Sequence, residues 1–274
     1  MIAACLKWTA LPGDESDDRF AGVSPADLAA LELALRLGDL LGEEVLAVAS
    51  GPAGAERALR DALAAGATRA VRIDAAADAD SRDVAFELAH VTAAASIVLC
   101  GDYSLDRGTG SVPAFIAHHR RIAQALGLVA VAVNRCTAER VHATRRLDGG
   151  RREVLTVPTP CVLSVEGSVA TLRRAGLKQA LASRAAEVEI RQSPPAHHHT
   201  APAIIVPYRP RARVMPAPEG ADALSRLRVL TDAASAPTRG EMVELEPRAA
   251  AERIARALRE WGYLTDDGDA RAPG

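Results

Sequence analysis

A stretch rich in glycine and hydroxyl residues is the strongest candidate for chemistry in this sequence. Residues 101–113 read Gly-Asp-Tyr-Ser-Leu-Asp-Arg-Gly-Thr-Gly-Ser-Val-Pro, between an apolar run at 96–100 and a predicted helix. Glycine lets backbone N–H groups approach an anion closely, and a helix N-terminus favours negative charge. The stretch therefore predicts a phosphate site. Its spacing matches neither a Walker loop nor Gly-x-Gly-x-x-Gly, and a glycine-rich connection without a ligand is the alternative.

Two other helix starts are candidates for the same site. Residues 24–27, Ser-Pro-Ala-Asp, have the pattern of a capped helix N-terminus, and Ser50-Gly51-Pro52 closes an apolar run before another helix. Three helix N-termini at one sheet edge would frame an adenine nucleotide. Ordinary capping explains each of them when it is taken alone.

Histidines and cysteines give weaker signals. The triplet His197-His198-His199 lies among prolines and alanines, which favours a solvated segment over a metal site. The cysteines are not at metal-ligand spacing and are interpreted as buried thiols in a reducing cytoplasm. We therefore predict no metal site and no catalytic residues. The four cysteines are Cys5, Cys100, Cys136 and Cys161.

The elements that must position these residues alternate between strand and helix. The strands are nearly all apolar, as in a parallel sheet covered on both faces, so we predict a doubly wound α/β fold. An acidic-Gly-Gly turn at 148–150 predicts an added antiparallel hairpin, followed by a last strand at Cys161–Val165. The other predicted strands are 1–6, 44–49, 69–73, 96–100 and 129–134, and the helices are 24–41, 53–65, 82–93 and 113 to about 126.

The chain divides into three predicted parts. Residues 1–192 form the α/β nucleotide-binding domain, residues 193–219 a Pro/His-rich linker or insertion, and residues 220–274 an extended C-terminal arm. A helix predicted at 248–261 places five apolar residues on one face and ends at Gly262. Those five are Ala251, Ile254, Ala255, Leu258 and Trp261.

Composition argues against several partners. A net charge of −2 and 3% aromatic residues give no reason to expect nucleic acid. No apolar run reaches the roughly 18 residues of a membrane span, and the N-terminus lacks a signal-peptide pattern. We expect a cytoplasmic protein with no membrane insertion.

The hairpin region resembles the signature of the electron transfer flavoprotein beta subunit. That signature has a small residue, a basic residue, an acidic-Gly-Gly turn, a Glu or Gln, and a Pro before an apolar pair. It is matched by Ala143, Arg145, Asp148-Gly149-Gly150, Glu153, Leu155, Pro160, Val162-Leu163 and Ser164. Other stretches, including 48–52, 62–70 and 237–240, are similar to the family in order.

The resemblance implies a heterodimer with an alpha subunit that holds most of the redox-active FAD. It would accept electrons from flavin dehydrogenases and pass them to a quinone reductase or another acceptor, so the chain is expected to be an electron carrier and not an independent enzyme. AMP, or a second FAD in electron-bifurcating members, would bind the beta subunit. By position its site would use Cys5, Ser24, Pro25, Asp27, Ser50, Asp106, Arg107, Gly108, Thr109, Gly110, Ser111 and Val112.

One stretch is similar to the family loop that docks the dehydrogenase. Residues 170–173, Ala-Thr-Leu-Arg, match its core, so Leu172 is the implied anchor and a core leucine is the alternative. The sequence departs from the family at Ser24, where Asn is usual, at Arg173, where Pro is usual, and in a shorter nucleotide loop that contains Arg107. These departures indicate a divergent member, for example one dedicated to a mycofactocin-linked redox pathway.

Two other functions compete with this interpretation. A stand-alone adenine-nucleotide-binding regulatory protein, similar to universal stress proteins, would share the fold. Such a stand-alone protein would not need the arm at 237–264, because the apolar stripe of the arm must be buried against another surface. A stand-alone flavoprotein has little support, because aromatic residues are few.

Overall fold

The computed structural model describes residues 1–10, 21–193, 222–232, 243–261 and 263. The chain forms two compact units, Met1–Ala203 and Ile204–Gly274, which are described separately. The histidine triplet, Gly262 and the predicted linker beyond Ser193 lie outside the described residues. The predicted domain boundaries at 192 and 219 stay predictions.

Strands and helices alternate through the first unit. In chain order they are β1 (Ile2–Leu6), β2 (Trp8–Thr9), β3 (Gly22–Val23), α1 (Pro25–Leu41), β4 (Val45–Gly51), α2 (Ala55–Ala65), β5 (Arg69–Asp74), α3 (Ser81–Val91), β6 (Ile97–Gly101), α4 (Val112–Arg120), β7 (Ala123–Val131), β8 (Arg140–Arg146), β9 (Arg152–Pro158), β10 (Cys161–Val165), α5 (Leu177–Arg184) and β11 (Glu189–Gln192).

The main sheet has nine strands in the order β11-β5-β4-β1-β6-β10-β7-β8-β9. The strands from β11 to β7 pair in parallel, and β8 and β9 add an antiparallel hairpin at one edge. β2 and β3 form a separate antiparallel pair. The predicted α/β fold with a mostly parallel sheet and an added hairpin is confirmed.

The core has one layer on each face of the sheet. Along β1, Ile2, Ala4 and Leu6 pack in a cluster with α1 and α2. Ala3 and Cys5 point the other way and pack in a second cluster with α3 and α4. This alternation of buried side chains is what the near-continuous apolar strands predicted.

Two predicted boundaries around residue 123 are wrong. α4 ends at Arg120 rather than near 126, because Arg121 adopts a left-handed backbone conformation with φ 53°. β7 begins at Ala123 rather than at 129. The alanines and leucines there favour a helix in isolation, but pairing with β10 overrides that preference.

The prediction that Cys161–Val165 is the last strand is also wrong. β11 follows it and pairs in parallel with β5 at the sheet edge. It has only four residues, and charged side chains interrupt its apolar character. Such an edge strand carries little of the hydrophobic pattern by which strands are recognised.

The second unit contains two described helices, α6 (Ala223–Asp232) and α7 (Pro247–Glu260). On the predicted apolar face of α7, Ile254 is 61% and Trp261 70% accessible, whereas Ala255 and Leu258 are half-buried. In the part of the chain that the structure describes, no helix is long and apolar enough to cross a membrane.

Asp27 ties the start of α1 to two central strands. Ser24 caps the helix by accepting a hydrogen bond from the Asp27 amide at 3.0 Å. The Asp27 carboxyl group accepts one bond from the Lys7 amide and one from the Gly101 amide, both at 3.0 Å. Any side chain at Gly101 would collide with this carboxyl group. The helix start and the ends of β1 and β6 are therefore held at one point.

Replacing Asp27 by asparagine tests this link. The amide has one acceptor oxygen where the carboxyl group has two, so a buried N–H group of Lys7 or Gly101 loses its partner. We expect Asp27→Asn to lower the free energy of unfolding in urea by about 1–3 kcal/mol at about pH 4.5. The control Glu139→Gln, at an exposed carboxyl group, should leave the free energy of unfolding unchanged.

The stability of the wild-type protein should also depend on pH through this group. Burial raises the pKa of Asp27 from 3.8 to about 7, against the effect of its hydrogen bonds from Lys7 and Gly101. The folded chain therefore keeps a proton that the unfolded chain releases, and this contribution weakens folding as pH rises from about 4 to 7. The free energy of unfolding of the wild type should therefore exceed that of Asp27→Asn by less and less as the pH rises across that range. An advantage that grows with pH would contradict the raised pKa.

Candidate functional site

A cleft lies at the carboxyl ends of β1, β4 and β6, where open α/β sheets bind ligands. The empty space in it amounts to about 800 Å³, a volume that includes the open mouth. Besides the strand ends, the connection after β5, the start of α3 and the N-terminus of α4 line it. Several helix and strand ends thus converge on one opening.

Residues 104–111, here called the glycine loop, are held on one side by an ion pair. The Lys7 ammonium group contacts both carboxylate oxygens of Asp106, at 2.7 and 2.8 Å. Burial alone would raise the pKa of Asp106, but hydrogen bonds from Lys7 and Ser104 hold that pKa well below its usual range. The pair joins residues 99 positions apart in the chain and neutralises both charges.

Arg107 holds the glycine loop on the opposite side. Its guanidinium group donates to the backbone oxygens of Asp78, at 2.7 Å, and Ala79, at 3.1 Å. Among the described residues, no carboxylate lies within ion-pair distance of Arg107, which also lines the cleft. Arg107 therefore supplies a positive charge at the cleft that an anionic ligand can use.

The end of the glycine loop leads into the N-terminus of α4. Gly110 has φ +59°, and a side chain there would collide with the backbone oxygen of Asp102. The Thr109 and Ser111 hydroxyl groups lie 3.0 Å apart, and Ser111 at the N-cap makes no side-chain capping bond. The first backbone N–H groups of the helix thus lack a side-chain acceptor, and a phosphate oxygen would satisfy them.

Ser50, at the end of β4, adds a buried polar group without a partner. Its hydroxyl oxygen makes no hydrogen bond in the described part of the chain, although it lines the cleft. Buried polar groups normally have a partner. With Val84, Leu88 and Val112 on the apolar part of the lining, the cleft suits a phosphorylated ligand that also carries an apolar ring.

Most of the residues implied by the family resemblance come together here. Eight of the twelve line the cleft, namely Cys5, Asp27, Ser50, Arg107, Thr109, Gly110, Ser111 and Val112. The other four do not line the cleft. Ser24 caps α1, Pro25 packs beside Gly167, Asp106 pairs with Lys7, and Gly108 makes a turn with φ +62°.

The sequence analysis missed other parts of the lining. Lys7 follows β1, Cys100 lies in β6, and Ala76, Ala77 and Ala79 follow β5. Ligands bind at the carboxyl ends of parallel strands, and this rule singled out 101–113. It applies equally to the connection after β5, which could therefore have been predicted as part of the site. The described residues contain no group of three or more His, Cys, Asp or Glu side chains suited to a metal ion.

Leu172, the implied docking residue, is half-buried against the core cluster beneath α1. Arg173 fixes this segment, because its backbone amide and its guanidinium group each donate to Glu32 at 3.0 Å, and it also pairs with Asp39 at 3.0 Å. Burial would raise the pKa of Glu32, but the bonds from Arg173 lower it. Two more exposed leucines of this region, Leu177 and Leu181, lie in α5.

Comparison with known proteins decides the family. The sequence profile described as "Electron transfer flavoprotein domain" matches residues 17–196. The chain belongs to this family. Protein FixA of Bradyrhizobium diazoefficiens is 33% identical over 177 residues, which cover 61% of this chain and 60% of that protein.

Relatives named electron transfer flavoprotein subunit beta match as well. That of Dictyostelium discoideum is 26% identical over 185 residues, 65% of this chain and 72% of the relative. That of Thermoanaerobacterium thermosaccharolyticum is 33% identical over 146 residues, 52% and 55% respectively. The match spans about 60% of the length of the FixA relatives. The resemblance to electron transfer flavoprotein beta subunits is confirmed.

Two glycines with similar backbone conformations allow a matched test of the glycine loop. Gly110 and Gly127 have φ +59° and +67°, but only at Gly110 would a side chain meet other atoms. Gly110→Ala should therefore lower the free energy of unfolding by about 1–3 kcal/mol more than Gly127→Ala, which adds only backbone strain. Equal losses for the two variants in urea denaturation would contradict the described packing of the loop on Asp102.

Proposed function

We propose that this chain is the beta-type subunit of a heterodimeric electron transfer flavoprotein and that its cleft binds an adenine nucleotide. The observation that carries the proposal is the convergence of the glycine loop, the N-terminus of α4 and the unpartnered Ser50 hydroxyl on one cleft. The membership of the chain in the electron transfer flavoprotein family supports it. The nucleotide would be AMP or a second FAD.

The residues of the cleft would have two roles, namely binding the nucleotide and holding the strand ends in position. Backbone N–H groups at 109–112 and the Thr109 and Ser111 hydroxyl groups would bind phosphate, and Arg107 would balance its charge. Ser50 would bond a hydroxyl or ring nitrogen of the nucleotide. Asp27, whose two oxygens already accept backbone amides, would hold the strand ends in place.

The redox partner would be an alpha subunit that holds most of the FAD. FAD supplies the isoalloxazine ring that accepts and donates electrons, and this chain would contribute structure and docking surface. The heterodimer would accept electrons from flavin dehydrogenases and pass them to a quinone reductase or another acceptor, dedicated to one pathway. Leu172 remains the proposed contact to the dehydrogenase, although its half-buried position means that the loop would have to shift to present it.

The arm at 220–274 would dock on the alpha subunit. The exposed side chains of Ile254 and Trp261 on the apolar face of α7, 61% and 70% accessible, support this role. Burial of such side chains in an interface is favourable by about 25 cal/mol per Å² of apolar area. Residues 1–192 would then act as the nucleotide-binding domain and 193–219 as the connecting segment.

Co-expression with the alpha subunit tests the whole proposal. The purified complex should show a flavin visible spectrum, and mass analysis of released nucleotides should give one FAD and one AMP per heterodimer. Two FAD molecules would assign the cleft to a second flavin. Absence of both flavin and alpha subunit, with AMP or ATP on this chain alone, would overturn the proposal and favour the stand-alone regulatory protein.

Truncation tests the arm. Deleting residues 237–274 should abolish co-purification with the alpha subunit, because the apolar face of α7 is lost. The double variant Ile254→Ser/Trp261→Ser should weaken pairing in the same direction, whereas Arg248→Ser, at a 93% exposed polar side chain, should not. A truncated chain that still co-purifies would remove this role.

Substitution of Arg107 tests the charge at the cleft. Arg107→Gln removes the cation proposed to balance the charge of a bound phosphate, and a hydrogen bond to a charged group contributes about 1.5–3 kcal/mol. AMP affinity, measured by calorimetry, should therefore fall by about tenfold or more. Arg140→Gln, at an exposed arginine of β8, is the control and should bind AMP like the wild type. An unchanged affinity in Arg107→Gln would exclude this contact.

A further inference from the structure

Two cysteines lie side by side on the floor of the cleft. Cys5 in β1 and Cys100 in β6 are direct register partners in neighbouring parallel strands. Both pack in the same core cluster, so their side chains project to the same face of the sheet. Both line the cleft, with 6% and 5% of their surfaces accessible. The two thiol groups therefore share one opening to solvent.

The two thiols also interact with each other. Two effects raise the pKa of the Cys100 thiol group well above its usual value. The larger is the hydrogen bond with the Cys5 thiol group, and the second is burial. Cys136 and Cys161 are buried as well, but they pack in the core cluster on the opposite face and do not line the cleft. The pair at the cleft floor is thus distinguished by mutual contact and by access.

The spacing of the strands is compatible with a covalent link. Neighbouring strands lie about 4.7–4.9 Å apart, inside the roughly 4.4–6.8 Å range of Cα separations that a disulfide spans. Paired strands on a rigid sheet leave little freedom to relax, so the bond would carry strain. Strained disulfides have higher reduction potentials and are readily reversed by thiols.

We propose that Cys5 and Cys100 form a reversible disulfide when a hydroperoxide enters the cleft, and that a nucleotide bound there prevents it. This inference rests in part on the proposed nucleotide role of the cleft. One thiolate attacks the peroxide, the O–O bond breaks, and a sulfenic acid and water form when hydrogen peroxide is the oxidant. The second thiol attacks the sulfenic sulfur, the S–S bond forms, and a second water leaves. Two thiols thus lose two electrons and two protons, and one hydrogen peroxide becomes two waters.

The disulfide would act on the same strand ends that Asp27 holds. Lys7 lies two residues after Cys5, and Gly101 follows Cys100, and their amides are the two donors to the Asp27 carboxyl group. Drawing the two sulfurs into a bond displaces these strand ends and, with them, the base of the glycine loop. Oxidation should therefore weaken nucleotide binding, and by linkage a nucleotide should disfavour oxidation.

Peptide mapping of the full-length chain tests the proposal directly. Trypsin places each cysteine in a different peptide, namely 1–7, 83–107, 136–140 and 153–173. After treatment with hydrogen peroxide and alkylation of free thiols, the first two peptides should appear linked, two mass units lighter than their sum, and a thiol reductant should separate them. Peptides 136–140 and 153–173 should stay fully alkylated.

AMP is the probe for the coupling. Saturating AMP should slow formation of the linked peptide, and the oxidised chain should bind AMP at least about fivefold more weakly than the reduced chain. The rate should rise with pH, because the thiolate is the nucleophile. Cys5→Ala and Cys100→Ala should each abolish the linked peptide and leave AMP binding insensitive to peroxide, whereas Cys136→Ala should behave like the wild type.

Three results would separate the two proposals. No linked peptide, at peroxide doses that oxidise methionine in the same chain, overturns the disulfide. A linked peptide that forms at the same rate with AMP demonstrably bound overturns the coupling. A linked peptide in a chain that binds no AMP or flavin nucleotide at all supports the thiol pair and rejects the nucleotide function of the cleft.

Discussion

The carboxyl group of Asp27 is the point on which the cleft depends. It lies at the first turn of α1, and it accepts the amides that follow β1 and end β6. These two donors and the acceptor come from three separate parts of the chain, and Gly101 must lack a side chain for the group to fit. Because β1 and β6 end and α1 begins at this carboxyl group, Asp27 fixes the floor of the cleft.

The charges around the glycine loop follow from this arrangement. With β1 held in place, Lys7 projects toward Asp106 and neutralises it, so that pair anchors the loop and leaves little net charge. Arg107 instead donates only to backbone oxygens across the opening. The positive charge available to a ligand is therefore concentrated in one side chain, together with the N-terminus of α4. This distribution favours a compact anion such as a phosphate group over an extended polyanion.

The sequence was most informative where local pattern and topology agree. The apolar parallel strands, the hairpin around Asp148-Gly149-Gly150 and the position of 101–113 at a strand end followed from periodicity and turn chemistry. The contacts that close the cleft did not, since Lys7 and Asp106 are 99 residues apart and nothing in either neighbourhood indicates the other. The end of α4 and the short strand β11 were misjudged because pairing across the sheet, rather than local preference, decides them. Eight of the twelve residues implied by the family resemblance line the cleft, whereas composition pointed to no particular residues.

The position of β10 in the sheet has a consequence for synthesis of the chain. β10 lies between β6 and β7, yet it is made after both of them and after the hairpin. While the ribosome is still adding residues up to Val165, β6 has one open edge and β7 has no parallel neighbour to join. An open apolar strand edge invites pairing with other chains. The nascent protein therefore passes through a stage with a gap at the centre of its sheet, and β10 completes two ladders at once when it fills that gap.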